Sequence, residues 1–227
     1  MKRRIITTAD GSKTIQIEAW NEQYHSVHGA VEEANHVYIK HGLLFCSEEV
    51  LPLSQNNLSV LEIGFGTGLN TLLTLLKSRE LKRQLNYTGV EAYPVSVDEL
   101  KQLNYADLLD SNSSRYFDAI HSSGWEQWSA LTPSFALKKQ HKLFQDIRDQ
   151  NLYDLIYFDA FGARVQPELW TAQMFQHMYK ALKSNGVLVT YSAKGSVRRA
   201  MGAVGFAIER LEGPPGKREM LRARKTH

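Results

Sequence analysis

The chain has 227 residues, of which 43% are hydrophobic and 22% are charged, values that are ordinary for a globular protein with a substantial core. It has no apolar run of membrane-spanning length, and its basic first residues lack the apolar core of a signal peptide. The only cysteine, Cys46, excludes an internal disulfide and a cysteine-cluster metal site. Composition therefore predicts a cytoplasmic protein that does not enter a membrane.

Residues 4–17 predict a β-hairpin that turns at Asp10-Gly11. Polar rings follow in the next stretch, where Tyr24, His25 and His28 lie close together in the sequence. Two histidines three apart admit a metal ion, but no Cys or Asp joins them at ligand spacing, so we expect no metal. We interpret these side chains as a polar wall over a ligand site.

An apolar helix or strand over 37–45 and a loop over 47–57 complete a predicted N-terminal extension, residues 1–57. The remaining residues, 58–227, predict one globular domain of the α/β class. Its first strand ends at a glycine turn, Val60–Asn70, in which apolar and β-branched residues run into Gly64, Gly66 and Gly68. A strand, a glycine turn and a helix-compatible run form the opening unit of a doubly wound, Rossmann-like fold.

Six further strands complete a predicted seven-stranded mixed sheet, over residues 86–91, 138–146, 153–159, 186–192, 206–211 and 219–223. Helices are predicted over 95–103, 168–182 and 197–204, the second of them ending at a Ser184-Asn185-Gly186 cap. A helical insertion over 104–137 follows strand 2. In it, Trp125 and Trp128 are interpreted as packing on a helix face rather than stacking on a base.

The glycine spacing indicates which nucleotide-like ligand is bound. A dinucleotide-binding turn has a third glycine one position later, where this chain has Leu69. The pattern G-x-G-x-G with Glu62 two residues ahead is instead associated with transferases that use S-adenosyl-L-methionine. An acid in that position can receive the ammonium group of the methionine moiety. This ligand has no pyrophosphate, so it has no need of a helix N-terminus cleared for phosphate.

Acidic residues follow the predicted strands at the edge where ligands of α/β sheets bind. They are Glu62, Glu91, Asp146 and Asp159, at the ends of four successive strands. Each acid taken alone is better explained as a helix cap or a surface residue, but four in register with a glycine turn favour a binding site. Glu91 is placed to accept hydrogen bonds from ribose hydroxyls. Order along the chain places Asp146 at the adenine amino group and Ile147 against the ring.

Positive charge is concentrated towards the C-terminus. Nine lysine and arginine residues stand against three glutamates from Lys194 to His227, although the formal charge of the whole chain is only +3. A concentration of this kind is typical of a surface that binds phosphate groups. It is equally typical of a solvated basic tail, and charge alone leaves both interpretations open.

Several motifs together resemble one family over nearly the whole chain. They are Tyr24-His-Ser-x-His-Gly-Ala, Glu62-x-Gly-Phe-Gly-Thr-Gly-Leu-Asn70, Asp159-Ala-Phe, Pro167-Glu-Leu-Trp170 and Lys217-Arg-Glu-Met. The family is the methyltransferase domain of the bacterial bifunctional tRNA-modifying enzyme MnmC and its stand-alone form MnmD. The resemblance adds Phe65 and Asn70 to the expected cofactor residues. One departure is Gly162-Ala-Arg after Asp159-Ala-Phe, where proline is common in the family, and it leaves the shape of that loop open.

The resemblance implies N-methylation of 5-aminomethyl-2-thiouridine at the wobble position of the tRNA anticodon loop, which gives 5-methylaminomethyl-2-thiouridine. S-adenosyl-L-methionine would be the methyl donor. The bifunctional members carry a further FAD-dependent oxidase domain, for which 227 residues leave no room, so we expect no FAD.

The same resemblance implies roles for individual residues. Asp159 would lie beside the substrate amine as a hydrogen-bond and proton acceptor, and Phe161 would pack on the uracil base. Three residues of the N-terminal extension, Tyr24, His25 and His28, would belong to the amine pocket. Two basic residues, Lys217 and Arg218, would hold tRNA phosphates.

Two other functions fit parts of the sequence. A spermidine-synthase-like transferase of small amines would share the fold and the acid at Asp159, although its aminopropyl-type motifs are not present. A non-catalytic RNA-binding module would explain the basic C-terminal region, but it would not need intact glycines and acids.

Overall fold

The structure, a computed structural model, describes residues 2–110 and 112–226. The strands of this part of the chain are β1 Arg3–Thr7, β2 Lys13–Ile17, β3 Glu22–Gln23, β4 Asn57–Ile63, β5 Gln84–Glu91, β6 Trp128–Thr132, β7 Phe135–His141, β8 Tyr153–Phe158, β9 Leu182–Thr190, β10 Ala207–Glu212 and β11 Glu219–Arg224. The α-helices after the first are α2 Leu69–Ser78, α3 Val97–Leu100, α4 Tyr105–Leu108, α5 Ser113–Ser122, α6 Ala172–Ala181 and α7 Gly195–Ala203. Single 3₁₀ turns lie at Glu18–Trp20, Phe144–Asp146 and Pro167–Trp170.

The first helix, α1, is unusual. It begins with an α-helical turn at Ala30–Ala34 and continues with the wider π-helical hydrogen bonding through Asn35–Leu44 and Cys46–Val50. The predicted helix or strand over 37–45 is thus a helix, and it reaches into the segment predicted as a loop. Tyr38 of α1 packs on Tyr157 of β8, with ring centroids 5.1 Å apart. The N-terminal extension therefore shares its core with the main sheet.

The predicted N-terminal hairpin is confirmed. Strands β1 and β2 pair antiparallel, with Gly11 in the left-handed region at φ 82°, and the short β3 adds a third strand. The Asp10 carboxylate accepts the backbone N–H groups of Val31 and Glu32, which begin α1. A carboxylate at a helix N-terminus is favourable, so this contact fixes the hairpin to the start of α1.

The main sheet has the strand order β10-β11-β9-β8-β4-β5-β7-β6 over the described residues. Strands β4, β5, β7, β8 and β9 run parallel to their neighbours within this group, and the outer strands β6, β10 and β11 are antiparallel. Strand β4 lies between β5 and β8, so the chain changes direction across the sheet at β4. A ligand of such a sheet binds at the carboxyl end of this switch point.

The predicted Rossmann-like α/β class is confirmed, with one more strand than expected. Residues 128–132 of the predicted helical insertion form β6, on the edge of the sheet. Trp128 lies on this strand and is 53% exposed, and Trp125 forms an isolated bridge with Lys139 after α5 has ended, so the helix-face interpretation was wrong for both. Because an edge strand is only partly covered on either face, β6 lacks the alternation by which a strand is recognised.

Two predicted boundaries were also wrong. Strand β7 ends at His141, and Asp146 lies in the turn beyond it. The predicted cap at Ser184–Gly186 lies inside β9, where Asn185 has φ 63° and the pairing with β8 shifts by an irregularity. Asn-Gly allows a left-handed backbone, which serves a strand bulge as well as a helix end.

Candidate active site

The glycine turn that follows β4 has a backbone that few other residues adopt. Gly64, Gly66 and Gly68 have φ angles of 91°, 50° and 75°. A Cβ on Gly64 would lie 2.6 Å from the carbonyl oxygen of Asp159, which follows β8. The glycine therefore allows the ends of two neighbouring strands to approach closely, and the turn opens into a cavity.

This cavity has a volume of 1190 Å³ and lies over the carboxyl ends of β4, β5 and β8. One part of its wall, which we call the glycine side, consists of Gly64, Phe65, Gly66, Glu91, Tyr93 and Phe144. An adjoining part, the Asp159 side, consists of Tyr24, Glu33, Asp159, Phe161, Tyr191 and Lys217. Asn70, at the start of α2, lines the cavity as well.

Glu91 is held in a fixed orientation on the glycine side. Its carboxylate accepts the backbone N–H of Gly66 at 3.0 Å through one oxygen and that of Tyr93 at 2.9 Å through the other. Each oxygen keeps a second lone pair. The position matches the predicted role at ribose hydroxyls, which stays a prediction.

Asp159 lies at the floor of the cavity between two donors. The Tyr38 hydroxyl donates to one of its oxygens at 2.6 Å, and Asn70 Nδ2 donates to the other at 2.8 Å. Burial raises the pKa of Asp159 to about 7, although both hydrogen bonds act to lower it. A carboxylate with this pKa is suited to accept a proton near neutral pH.

Glu62 does not face the cavity. Its side chain is fully buried within β4, where it accepts hydrogen bonds from Asn70 Nδ2 at 2.9 Å and Thr71 Oγ1 at 3.1 Å. Burial raises the pKa of Glu62 to about 8. The predicted contact with a ligand ammonium does not match this placement, because the residue lies inside the strand rather than beyond its end.

Three more of the expected cofactor residues lie away from the cavity wall. Asp146 is exposed in its turn, Ile147 is 1% exposed in the core, and a Cβ on Gly68 would meet His121 at 3.0 Å. Leu143, Phe144 and Gln145 line the cavity instead. The cause is the early end of β7, which places residues 143–145 where the sequence predicted 146–147.

Aromatic side chains surround Asp159 on its own side of the cavity. The Phe161 ring meets the rings of Tyr24 and Trp20 edge-on, with centroids 5.0 and 5.6 Å apart. His25 also lines the cavity, and burial lowers its pKa to about 4, so that it is neutral at pH 7. The exposed His28 lies against Gly216 at the rim.

Lys217 lies within the cavity rather than on an outer surface. Its ammonium group pairs with the buried Glu33 of α1 and lies 3.9 Å from the centroid of the Tyr191 ring. Arg218, next in the chain, is exposed. The predicted phosphate role of Lys217 therefore conflicts with its pairing. Glu33, Tyr38 and Tyr191 were not predicted, since nothing local in the sequence connects them with Asp159.

Comparison with known proteins identifies the class of this site. Residues 136–226 match the model of a family described as S-adenosyl-L-methionine-dependent methyltransferase. The cofactor predicted from the glycine turn is thus confirmed at the level of the family. Within the described residues, no group of three or more His, Cys, Asp or Glu side chains is arranged to hold a metal ion, and no helix is long and apolar enough to cross a membrane.

The curated relatives of this methyltransferase chain bear the name that the motifs suggested. It is 28% identical over 220 residues to the tRNA 5-methylaminomethyl-2-thiouridine biosynthesis bifunctional protein MnmC of Hydrogenovibrio crunogenus, covering 92% of this chain and 32% of that protein. The MnmC protein of Burkholderia thailandensis is 29% identical over 231 residues, covering 92% of this chain and 33% of that protein. The predicted resemblance is confirmed, and the chain spans about a third of these relatives' length.

Solved structures confirm the Rossmann-like fold of this chain. The crystal structure of MnmC2 from Aquifex aeolicus superimposes with a TM-score of 0.79 at 22% identity, covering 98% of this chain and 70% of that one. Spermidine synthase from Thermotoga maritima superimposes less well, with a TM-score of 0.55 at 17% identity, covering 98% of this chain and 72% of that one.

Proposed function

We propose that this chain transfers a methyl group from S-adenosyl-L-methionine to the amine of 5-aminomethyl-2-thiouridine at the wobble position of tRNA. The observation that carries the proposal is Asp159, a cavity-floor carboxylate with a pKa near neutrality beside an aromatic wall. The curated relatives are named for 5-methylaminomethyl-2-thiouridine biosynthesis in tRNA, and this supports the choice of substrate. Since the chain spans a third of their length, the proposal is limited to the methyl-transfer step.

The glycine side fits the methyl donor. Gly64 and Gly66 line this part of the cavity without side chains, and Glu91 can accept hydrogen bonds from ribose hydroxyls with the lone pairs that remain free. Asn70 Oδ1 is buried at the cavity and has no hydrogen-bond partner among the described residues, so it can accept the donor's ammonium group. When bound, S-adenosyl-L-methionine supplies an electrophilic methyl carbon on a sulfonium centre.

The Asp159 side fits a base that carries an amine. Phe161, Tyr24 and Trp20 form an apolar wall on which a uracil ring can pack. An ionised Asp159 accepts a hydrogen bond from the amine and so orients the lone pair of the amine nitrogen towards the methyl carbon. Asp159 then takes up the proton that the amine gives up. Because the displacement is in-line, most of the rate enhancement comes from this positioning.

Within the basic C-terminal region expected to bind phosphates, the cations at the start of α7 are best placed to bind the tRNA backbone. Arg210 and Arg222 pair with Glu219 and Glu209, and Lys217 pairs with Glu33. Among the described residues, no acidic partner lies within ion-pair distance of the exposed Lys194, Arg198 and Arg199 at the start of α7. Lys194 also lines the cavity, so this set, the basic ridge, adjoins the site.

The test of the proposed function offers the enzyme tRNA that carries the unmethylated wobble amine, with S-adenosyl-L-methionine, and analyses the nucleosides by mass spectrometry. We expect the methylamino nucleoside to appear, and no product on tRNA that lacks the amine. A free diamine serves as the competing acceptor. Product on the diamine but not on the tRNA would favour a small-amine transferase, and failure to bind S-adenosyl-L-methionine in calorimetry would favour an RNA-binding module.

A further inference from the structure

Asn70 connects the buried carboxyl group of Glu62, on β4, to the half-buried carboxyl group of Asp159, which follows β8. Its Nδ2 donates to Glu62 Oε1 at 2.9 Å and to Asp159 Oδ2 at 2.8 Å. Either acid can accept a hydrogen bond from an amide nitrogen, and in the structure the amide nitrogen of Asn70, and not its oxygen, faces both of them. The side chain is 2% exposed, and its orientation is therefore fixed by these two contacts.

Tyr38 holds the other oxygen of Asp159. Its hydroxyl donates at 2.6 Å, a short distance typical of a hydrogen bond to a charged acceptor. The Tyr38 ring is 1% exposed and packs on Tyr157, so the hydroxyl has little freedom to move. Each oxygen of Asp159 thus has one donor from a rigid element, α1 in one case and α2 in the other.

We infer that Asn70 and Tyr38 are positioning residues that orient Asp159 towards the acceptor amine, and that Asn70 couples this carboxylate to the glycine turn that holds the methyl donor. That the acceptor is an amine is taken from the proposed function, so this part of the inference rests on it. The inference assigns Asn70 a second task beside the cofactor contact expected from the sequence. Tyr38 had no predicted role.

The pKa of Asp159 depends on the charges and hydrogen bonds that surround its carboxyl group. The charged or titratable groups that face it are Glu62, Glu33, Lys217, Tyr38 and Tyr191. Burial and the charge of Glu33 favour its protonated form, while Lys217 and the two hydrogen bonds favour the ionised form. Removal of either hydrogen bond must therefore raise the pKa of Asp159 further, since the ionised carboxylate loses a donor.

Tyr38→Phe removes one donor and keeps the ring. We expect the pKa of Asp159 to rise by about 1, and methylation at pH 7 to fall about fivefold because fewer molecules are ionised, with the deficit narrowing at pH 9. Tyr157→Phe is the matched control. Its hydroxyl contacts Thr74 in the same core and not Asp159, so we expect no change in that pKa.

Asn70→Leu separates the two tasks of Asn70. A positioning role predicts a lower kcat and a higher pKa of Asp159, whereas a role in cofactor contact alone predicts a higher KM for S-adenosyl-L-methionine with kcat unchanged. Should this variant fail to fold, Tyr38→Phe still tests the inference.

Carboxyl ¹³C NMR titration measures the pKa of Asp159 without any acceptor, with the signal assigned by its loss in Asp159→Asn. This readout is independent of the tRNA assay, so an absence of tRNA product in the wild type would overturn the proposed function alone. An unchanged pKa of Asp159 in Tyr38→Phe, or a pure KM effect in Asn70→Leu, would overturn the positioning roles.

Discussion

The two sides of the cavity are constructed in different ways. The glycine side comes from three segments that follow neighbouring strands, namely the glycine turn, residues 91–93 and the turn at Phe144, and its carboxylate is held by backbone N–H groups. The Asp159 side collects side chains from five separate segments, at Tyr24, Glu33, residues 159–161, Tyr191 and Lys217. A donor that is the same for many methyltransferases can be held by a local motif, whereas a specific acceptor requires side chains brought together by the whole fold.

The largest effect is expected when the carboxylate of the Asp159 side is removed. For Asp159→Ala we expect methylation to fall about 1000-fold, because both orientation of the amine and proton acceptance are lost. The Kd for S-adenosyl-L-methionine, measured by calorimetry, should stay within about twofold, since Gly64, Gly66 and Glu91 are untouched. Full turnover by the variant would remove Asp159 from the chemistry.

A substitution at Gly64 should instead damage both sides at once. Its φ of 91° and the 2.6 Å approach to the Asp159 carbonyl leave no space for a side chain. We expect Gly64→Ala to lower the free energy of unfolding by about 2–4 kcal/mol and to abolish donor binding. Gly202→Ala is the control, because a Cβ in α7 meets only Ile208 at 3.8 Å. Equal stability of the two variants in urea unfolding would contradict the close approach of the two strands.

The two sides of the cavity also differ in how well the sequence predicts them. Glu91 and Asp159 could be predicted because the end of an apolar run marks the end of a buried strand, and ligands of α/β sheets bind at those ends. The end of the third strand was predicted near Asp146, but β7 ends at His141, and the following turn has no periodicity that could have shown this. The adenine role of Asp146 stays a prediction. Glu33 and Tyr38 could not be predicted, since the Glu33–Lys217 and Tyr38–Asp159 contacts span 184 and 121 residues. Such contacts exist only once the sheet has assembled.

The basic ridge tests where the Asp159 side ends and the tRNA surface begins. We expect the triple variant Lys194→Ala, Arg198→Ala, Arg199→Ala to weaken tRNA binding about tenfold and to reduce the slope of log K against log salt by up to about 3. Lys217→Met should leave the slope unchanged, because that ammonium is paired with Glu33 inside the cavity. If the slope of log K against log salt fell for Lys217→Met and not for the triple variant, Lys217 would bind tRNA phosphate, as the sequence predicted.

Glu62 gives a smaller effect, on stability rather than on catalysis. Its pKa rises from 4.5 to about 8 on folding, so between these values the unfolded chain releases a proton that the folded chain keeps. Stability therefore falls as pH rises through this window and is constant above it. We expect Glu62→Gln to raise the unfolding midpoint by roughly 4 °C at pH 8 and by less at pH 5, with the donor Kd unchanged. A large loss of donor affinity would instead place Glu62 at the ammonium group.

The smallest effect concerns Glu33, which acts on Asp159 through charge alone. Its negative charge raises the pKa of Asp159, so Glu33→Gln should lower that pKa by about 0.5 and increase the methylation rate at pH 6 two- to threefold, by roughly the gain in ionised Asp159. Glu32→Gln, one position away and exposed, is the matched control. This shift is opposite in sign to that expected for Tyr38→Phe. Shifts of the same sign in both variants would mean that repacking around α1, rather than charge and hydrogen bonding, sets the proton affinity of Asp159.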